Sequence, residues 1–80
     1  MSLKPLVEHL VKSLVEEPDV VSVEESNDRG AVVYGVTVAP NDVGRIIGKE
    51  GRVITCVRHL VSAAGAKKQQ KTFVKVITQD

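Results

Sequence analysis

The residues of this chain best suited to chemistry lie close together in sequence. Gly48 and Gly51 enclose Lys49 and Glu50, with Arg45, Arg52 and Arg58 on either side. Glycines placed this way suggest a turn that needs unusual backbone angles or the close approach of another backbone. Where such a turn opens a helix, unobstructed N–H groups and the helix dipole favour an anion such as a phosphate, and Lys49 and Arg52 supplement that field. Two known phosphate loops do not fit. A P-loop needs four residues between its glycines and a Ser or Thr after the lysine, whereas Gly44-Arg45-Ile46-Ile47-Gly48-Lys49 has three and is followed by Glu50. No Gly-x-Gly-x-x-Gly follows a strand, so the dinucleotide fingerprint is missing too.

No second set of side chains converges. Cys56 is the only cysteine, which excludes an internal disulfide; with apolar neighbours and no base partner it is expected to be a buried, inert thiol. His9 and His59 are single and far apart, so a metal site has no support. Glu16-Glu17 and Glu24-Glu25 are adjacent pairs, which diverge on a helix or strand and read as a solvated acidic face. With no nucleophile, base or metal cluster to assemble, neither an enzyme, a small-molecule substrate nor a cofactor is expected.

Charge is segregated along the chain. The formal net charge is only +1, but residues 1–42 sum to −5 and residues 43–71 to +6. A field concentrated on one surface attracts and orients an anionic ligand; the alternative is a solvated basic helix face. Eighty residues, 42% hydrophobic and 26% charged, make one globular domain over 1–80. There is no signal peptide and no run able to span a bilayer, so a cytoplasmic location is the expectation.

The elements that must position the loop follow from periodicity. Leu3, Leu6, Val7, Leu10, Val11, Leu14 and Val15 form one helical stripe, giving a helix over about 3–17 that Ser2 can cap and Pro18 ends. Residues 20–25 alternate as a strand, 26–30 make a turn, and Val32, Tyr34, Val36 and Val38 alternate as a second, antiparallel strand. Asp42 is placed to cap a short helix over 43–47. After the glycine turn a second motif helix carries Val53, Ile54, Val57, Leu60, Val61 and Ala64, with Gly65 as its stop. Residues 72–78 form the last strand, with Val74 and Val76 favoured inward and a parallel crossover to the second strand. The order is α-β-β-α-α-β, an α+β domain with a three-stranded mixed sheet and three helices on one face.

The stretch from Asp42 to Ile54, with Ile46-Ile47 before a Gly-x-x-Gly turn between two helices, resembles the signature of KH domains. The whole chain is similar to small bacterial stand-alone KH proteins of the KhpA type, with the type II fold. The resemblance implies that Gly48, Lys49, Glu50 and Gly51 clamp a single-stranded RNA backbone. Ile46, Ile47 and Ile54 would form an apolar floor for bases, with Arg45 and Arg52 on its rim. Arg58, Lys67 and Lys68 are candidates for peripheral RNA contacts, or for stabilising a helix end. Glu50 places a negative charge in the clamp, and with only Tyr34 and Phe73 as aromatics no stacking platform is expected. The resemblance further implies an RNA chaperone or post-transcriptional regulator. It would work as a homodimer, or as a heterodimer with a larger KH protein of the Jag (KhpB) type, and affect cell elongation and envelope synthesis. The alternative is a ribosome-associated or protein-docking KH module.

Overall fold

The computed structural model describes residues 2–77, and Lys49 by its backbone alone. Helix α1 (Lys4–Lys12) buries Val7 and Val11, and Leu3 just before it is buried too, all three on the predicted stripe. Its start is pinned twice: the Lys4 N–H donates to Ser2 Oγ at 3.0 Å, and the Leu3 N–H donates to the buried Tyr34 hydroxyl at 3.1 Å. Pro5 sits in the first turn, where a missing N–H does no harm.

The helix ends five residues earlier than its periodicity predicts, and the cause lies elsewhere in the chain. Asp42, 1% exposed, accepts the Glu16 and Glu17 N–H groups on its two carboxylate oxygens, each at 3.1 Å. Two N–H groups that would have continued α1 are thereby taken, and the chain turns into a short 3₁₀ segment at Pro18–Val20. The same geometry corrects the role expected for Asp42, whose side chain does not cap the following helix.

Strand β1 (Ser22–Asp28) pairs antiparallel with β2 (Ala31–Thr37), and β3 (Lys71–Ile77) pairs parallel with β2, in the order β1-β2-β3. The strands of the hairpin run through Ser26 and Asn27, which the sequence assigns to a turn. Arg29 (φ 53°) and Gly30 (φ 85°) both take left-handed angles, so two residues suffice to reverse the chain in a turn that matches the twist of the strands. Val32, Tyr34 and Val36 of β2 face the helices and are buried, as their alternation predicts. Val74 is buried and Val76 partly so, so the favoured inward face of β3 holds; Thr78, the predicted last residue of the strand, lies outside the described residues.

Helix α2 (Val43–Ile47) and helix α3 (Arg52–Lys67) complete the layer over the sheet. Val57 and Val61 of α3 meet Val7 and Val11 of α1, Tyr34 and Val36 of β2, and Ile46 of α2 in one core. Gly65 does not stop α3. It lies inside the helix because α3 closes on the start of β3 there: a Cβ at Gly65 would stand 2.7 Å from Cγ2 of Thr72 and 3.0 Å from the Gln70 carbonyl. Among the described residues no helix is long and apolar enough to cross a membrane.

Candidate nucleic-acid interface

Helix α2 breaks at Gly48 (φ 72°, ψ −179°), a backbone region essentially reserved for glycine. A side chain there would also collide, since its Cβ would lie 2.4 Å from Cγ2 of Val53. Glu50 (φ 59°) and Gly51 (φ 74°) are both left-handed, and α3 begins immediately afterwards at Arg52. No side chain caps this end of α3; the Thr55 hydroxyl donates to the Gly51 carbonyl at 2.7 Å and leaves the N–H groups alone. The first N–H groups of a helix have no intrahelical acceptor, and a helix of sixteen residues brings its full dipole to bear on them. Predicted residues Gly48, Glu50, Gly51 and Arg52, with the Lys49 backbone, are therefore assembled at one helix end.

The flanking charges are already engaged. Arg52 Nη2 lies 3.6 Å from Glu50 Oε2, with both side chains more than two-thirds exposed, a pair that water and salt weaken and an external anion can exchange with. Arg45 is drawn away to the segment after α1: its Nη2 donates to Glu16 Oε1 at 2.6 Å and its Nε stands 3.5 Å from Asp42 Oδ1.

A groove of about 510 Å³ runs between α3 and the edge strand β3. Arg58 spans it, its Nε donating to the Val74 carbonyl at 3.0 Å. His59 and Ser62 line the helix wall, and Thr72, Phe73, Val74 and Lys75 line the strand wall. Sequence reading named Arg58 but missed the others. The signal was available in the spacing of Arg58, His59 and Ser62 along one flank of α3, and in the parallel placement of β3, which makes it an edge strand beside that helix. Lys67 and Lys68 stand at the opposite end of α3, about 22 Å from Arg52 at 1.5 Å per residue.

The expected apolar floor is corrected. Ile46 (0% exposed) and Ile54 (6%) belong to the core, where they position the loop from below and offer no surface to a ligand; of the three isoleucines only Ile47 is exposed. Cys56 is also corrected: it is exposed and borders a second groove of about 320 Å³ between α1 and α3, lined by Leu10, Leu14, Val53 and Leu60. Among the described residues no group of three or more His, Cys, Asp or Glu side chains could hold a metal ion.

The family model of the KhpA/KhpB KH domain matches residues 4–76. The chain is 39% identical over 72 residues to the RNA-binding protein KhpA of Caldanaerobacter subterraneus subsp. tengcongensis, covering 90% of this chain and 96% of that protein. It is 37% identical over 75 residues to the RNA-binding protein KhpA of Clostridium acetobutylicum, covering 94% and 100%. Among solved structures, the crystal structure of Era in complex with MgGDPNP and nucleotides 1506–1542 of 16S ribosomal RNA matches 99% of this chain with a TM-score of 0.51 at 19% identity. That likeness is one of fold, and this chain spans 33% of the Era chain. With a glycine-broken helix pair beside a mixed three-stranded sheet, and a family match over nearly all of its length, the chain belongs to the KhpA/KhpB family of KH domains.

Proposed function

We infer that this protein binds single-stranded RNA and performs no chemistry on it, holding the backbone at the Gly48–Gly51 loop and the bases in the groove between α3 and β3. The observation that carries the reading is the junction of those two features. The uncapped N-terminus of α3 stands about 9 Å along the helix axis from Arg58, which bridges the groove to β3. Phosphate meets N–H groups and the helix dipole at the loop, and bases meet the mixed polar and apolar wall of an edge strand beyond it. Relatives over nearly the whole chain carry the name RNA-binding protein, which supports the same reading. A phosphate at the loop competes with Glu50 for Arg52, so affinity for one site is modest, on the order of micromolar.

A weak single site gains from being linked to another. The aliphatic groove between α1 and α3 suits the apolar surface of a second KH chain, either another copy or a larger Jag (KhpB)-type member of the family. In that partnership the protein is a cytoplasmic RNA chaperone or post-transcriptional regulator acting on cell elongation and envelope synthesis.

The test is binding of a labelled pool of short single-stranded RNAs to the wild type and to a Lys49→Asp, Glu50→Asp variant, at two salt concentrations, with folding checked by circular dichroism. Aspartate tolerates the left-handed backbone at position 50. The folded variant is expected to lose at least about ten-fold in affinity, and wild-type binding is expected to weaken with salt. Equal binding by both proteins, or by neither, would move the function to protein docking.

A further inference from the structure

The helices cover only one face of the sheet. On β3, Val74 turns toward them and the Thr72 hydroxyl reaches the Val61 carbonyl at 3.5 Å. Alternation then puts Lys71, Phe73, Lys75 and Ile77 on the other face. Phe73 is 51% exposed, an unusual position for an aromatic ring in a chain with only one phenylalanine and one tyrosine. Strand register backs it with Val33 and then Ser26, so the ring borders an apolar central strand. Gly35 lets Ile77 lie across the sheet next to it, with Ile77 Cδ1 at 3.0 Å from where a Cβ would stand.

Charge on this face is laid out in rows. Register aligns Glu24, Gly35 and Lys75 in one row and Asp28, Ala31 and Lys71 in another. The β1 side is acidic and the β3 side basic, so an anion is confined to β3. Lys71 and Lys75 stand about 13 Å apart with the ring midway between them. Among the described residues no ion pair within 4.0 Å engages either lysine.

We propose that this helix-free face of β3 is a second contact for the single strand seated in the groove, with one base stacked on Phe73 and flanking phosphates held by Lys71 and Lys75. An aromatic ring between two cations is the arrangement by which sequence-tolerant single-strand sites work, the ring taking a base face and the cations the backbone. Phe73 and Lys75 also border the groove at the strand edge, so a single strand longer than the groove passes over the edge of β3 onto this face. The inference rests on the groove reading for the path of the strand, and it replaces the expectation that the chain offers no stacking platform.

The experiment compares a four-nucleotide and an eight-nucleotide single-stranded RNA carrying 2-aminopurine in their downstream halves. Binding is measured for the wild type, Phe73→Ala and Phe73→Trp, and the self-association of each protein is followed by sedimentation equilibrium. The wild type is expected to bind the longer RNA about ten-fold more tightly and to quench its fluorophore. In Phe73→Ala that ratio collapses toward one and the quench disappears, and Phe73→Trp restores both. An unchanged ratio in Phe73→Ala overturns the proposal, and so does a change confined to self-association, which would make this face a protein interface. If the wild type fails to bind the four-nucleotide RNA, the groove reading fails on its own, and dependence of the longer RNA on Phe73 still decides the platform.

Discussion

Helix α3 meets β3 on one flank and α1 on the other, and both seams are left open as grooves of unlike chemistry. Toward β3 the lining is Arg58, His59 and Ser62 against an edge strand whose Val74 carbonyl is already taken by the arginine. Toward α1 it is Leu10, Leu14, Val53 and Leu60, with Leu14 and Leu60 40% and 55% exposed. An edge strand has hydrogen-bonding groups to offer and suits a polar ligand, whereas the seam between the two helices presents mainly aliphatic side chains. The arrangement puts two unlike surfaces on one element, so substitutions on the two flanks should have unlike consequences.

The substitution that should break the separation is Gly48→Ala. Its Cβ would press on Val53, which lines the α1 groove, while forcing the Gly48–Gly51 loop out of its backbone conformation. Unfolding in urea is expected to show a loss of about 3 kcal/mol, with RNA binding and association both impaired in whatever folds. A destabilisation below about 1 kcal/mol would mean that the two flanks are not coupled through this contact.

Leu60→Asp should sharpen the comparison from the apolar side. The residue is exposed, so stability should stay within about 0.5 kcal/mol. Self-association, or pairing with a Jag (KhpB)-type partner, should fall at least about ten-fold in sedimentation or titration calorimetry, and four-nucleotide RNA affinity should not change. Arg58→Lys probes the polar side with a smaller effect. It keeps the charge but loses the planar donor that binds Val74, so RNA affinity is expected to fall about three-fold with an unchanged salt slope and unchanged association.

How much of this could be seen in the sequence depended on how local its causes are. The stripe of α1, the alternation of β2 and the two glycines of the loop are set by neighbours a few residues away, and each appears where periodicity or spacing puts it. The end of α1 is set by Asp42, 25 and 26 residues from the N–H groups it accepts, and no helical pattern carries that information. Gly65 looked like a stop because glycine after an apolar run usually is one; its use in the close approach of α3 to β3 depends on tertiary packing. The exposure of Cys56 is not legible in the sequence because apolar neighbours do not specify which side of α3 is covered. Of the site itself, the loop was legible and the strand wall of the groove was not, since that wall exists only once β3 lies beside α3.

The contact at Gly65 gives the groove between α3 and β3 a shape with a direction. Where α3 nearly touches Thr72 and Gln70 the two elements are close enough to exclude even a methyl group, while at Arg58 and Val74 a long arginine side chain spans the gap. The groove is thus a wedge, open toward the loop and shut at its far end. That taper is set by the one position in α3 that has no side chain.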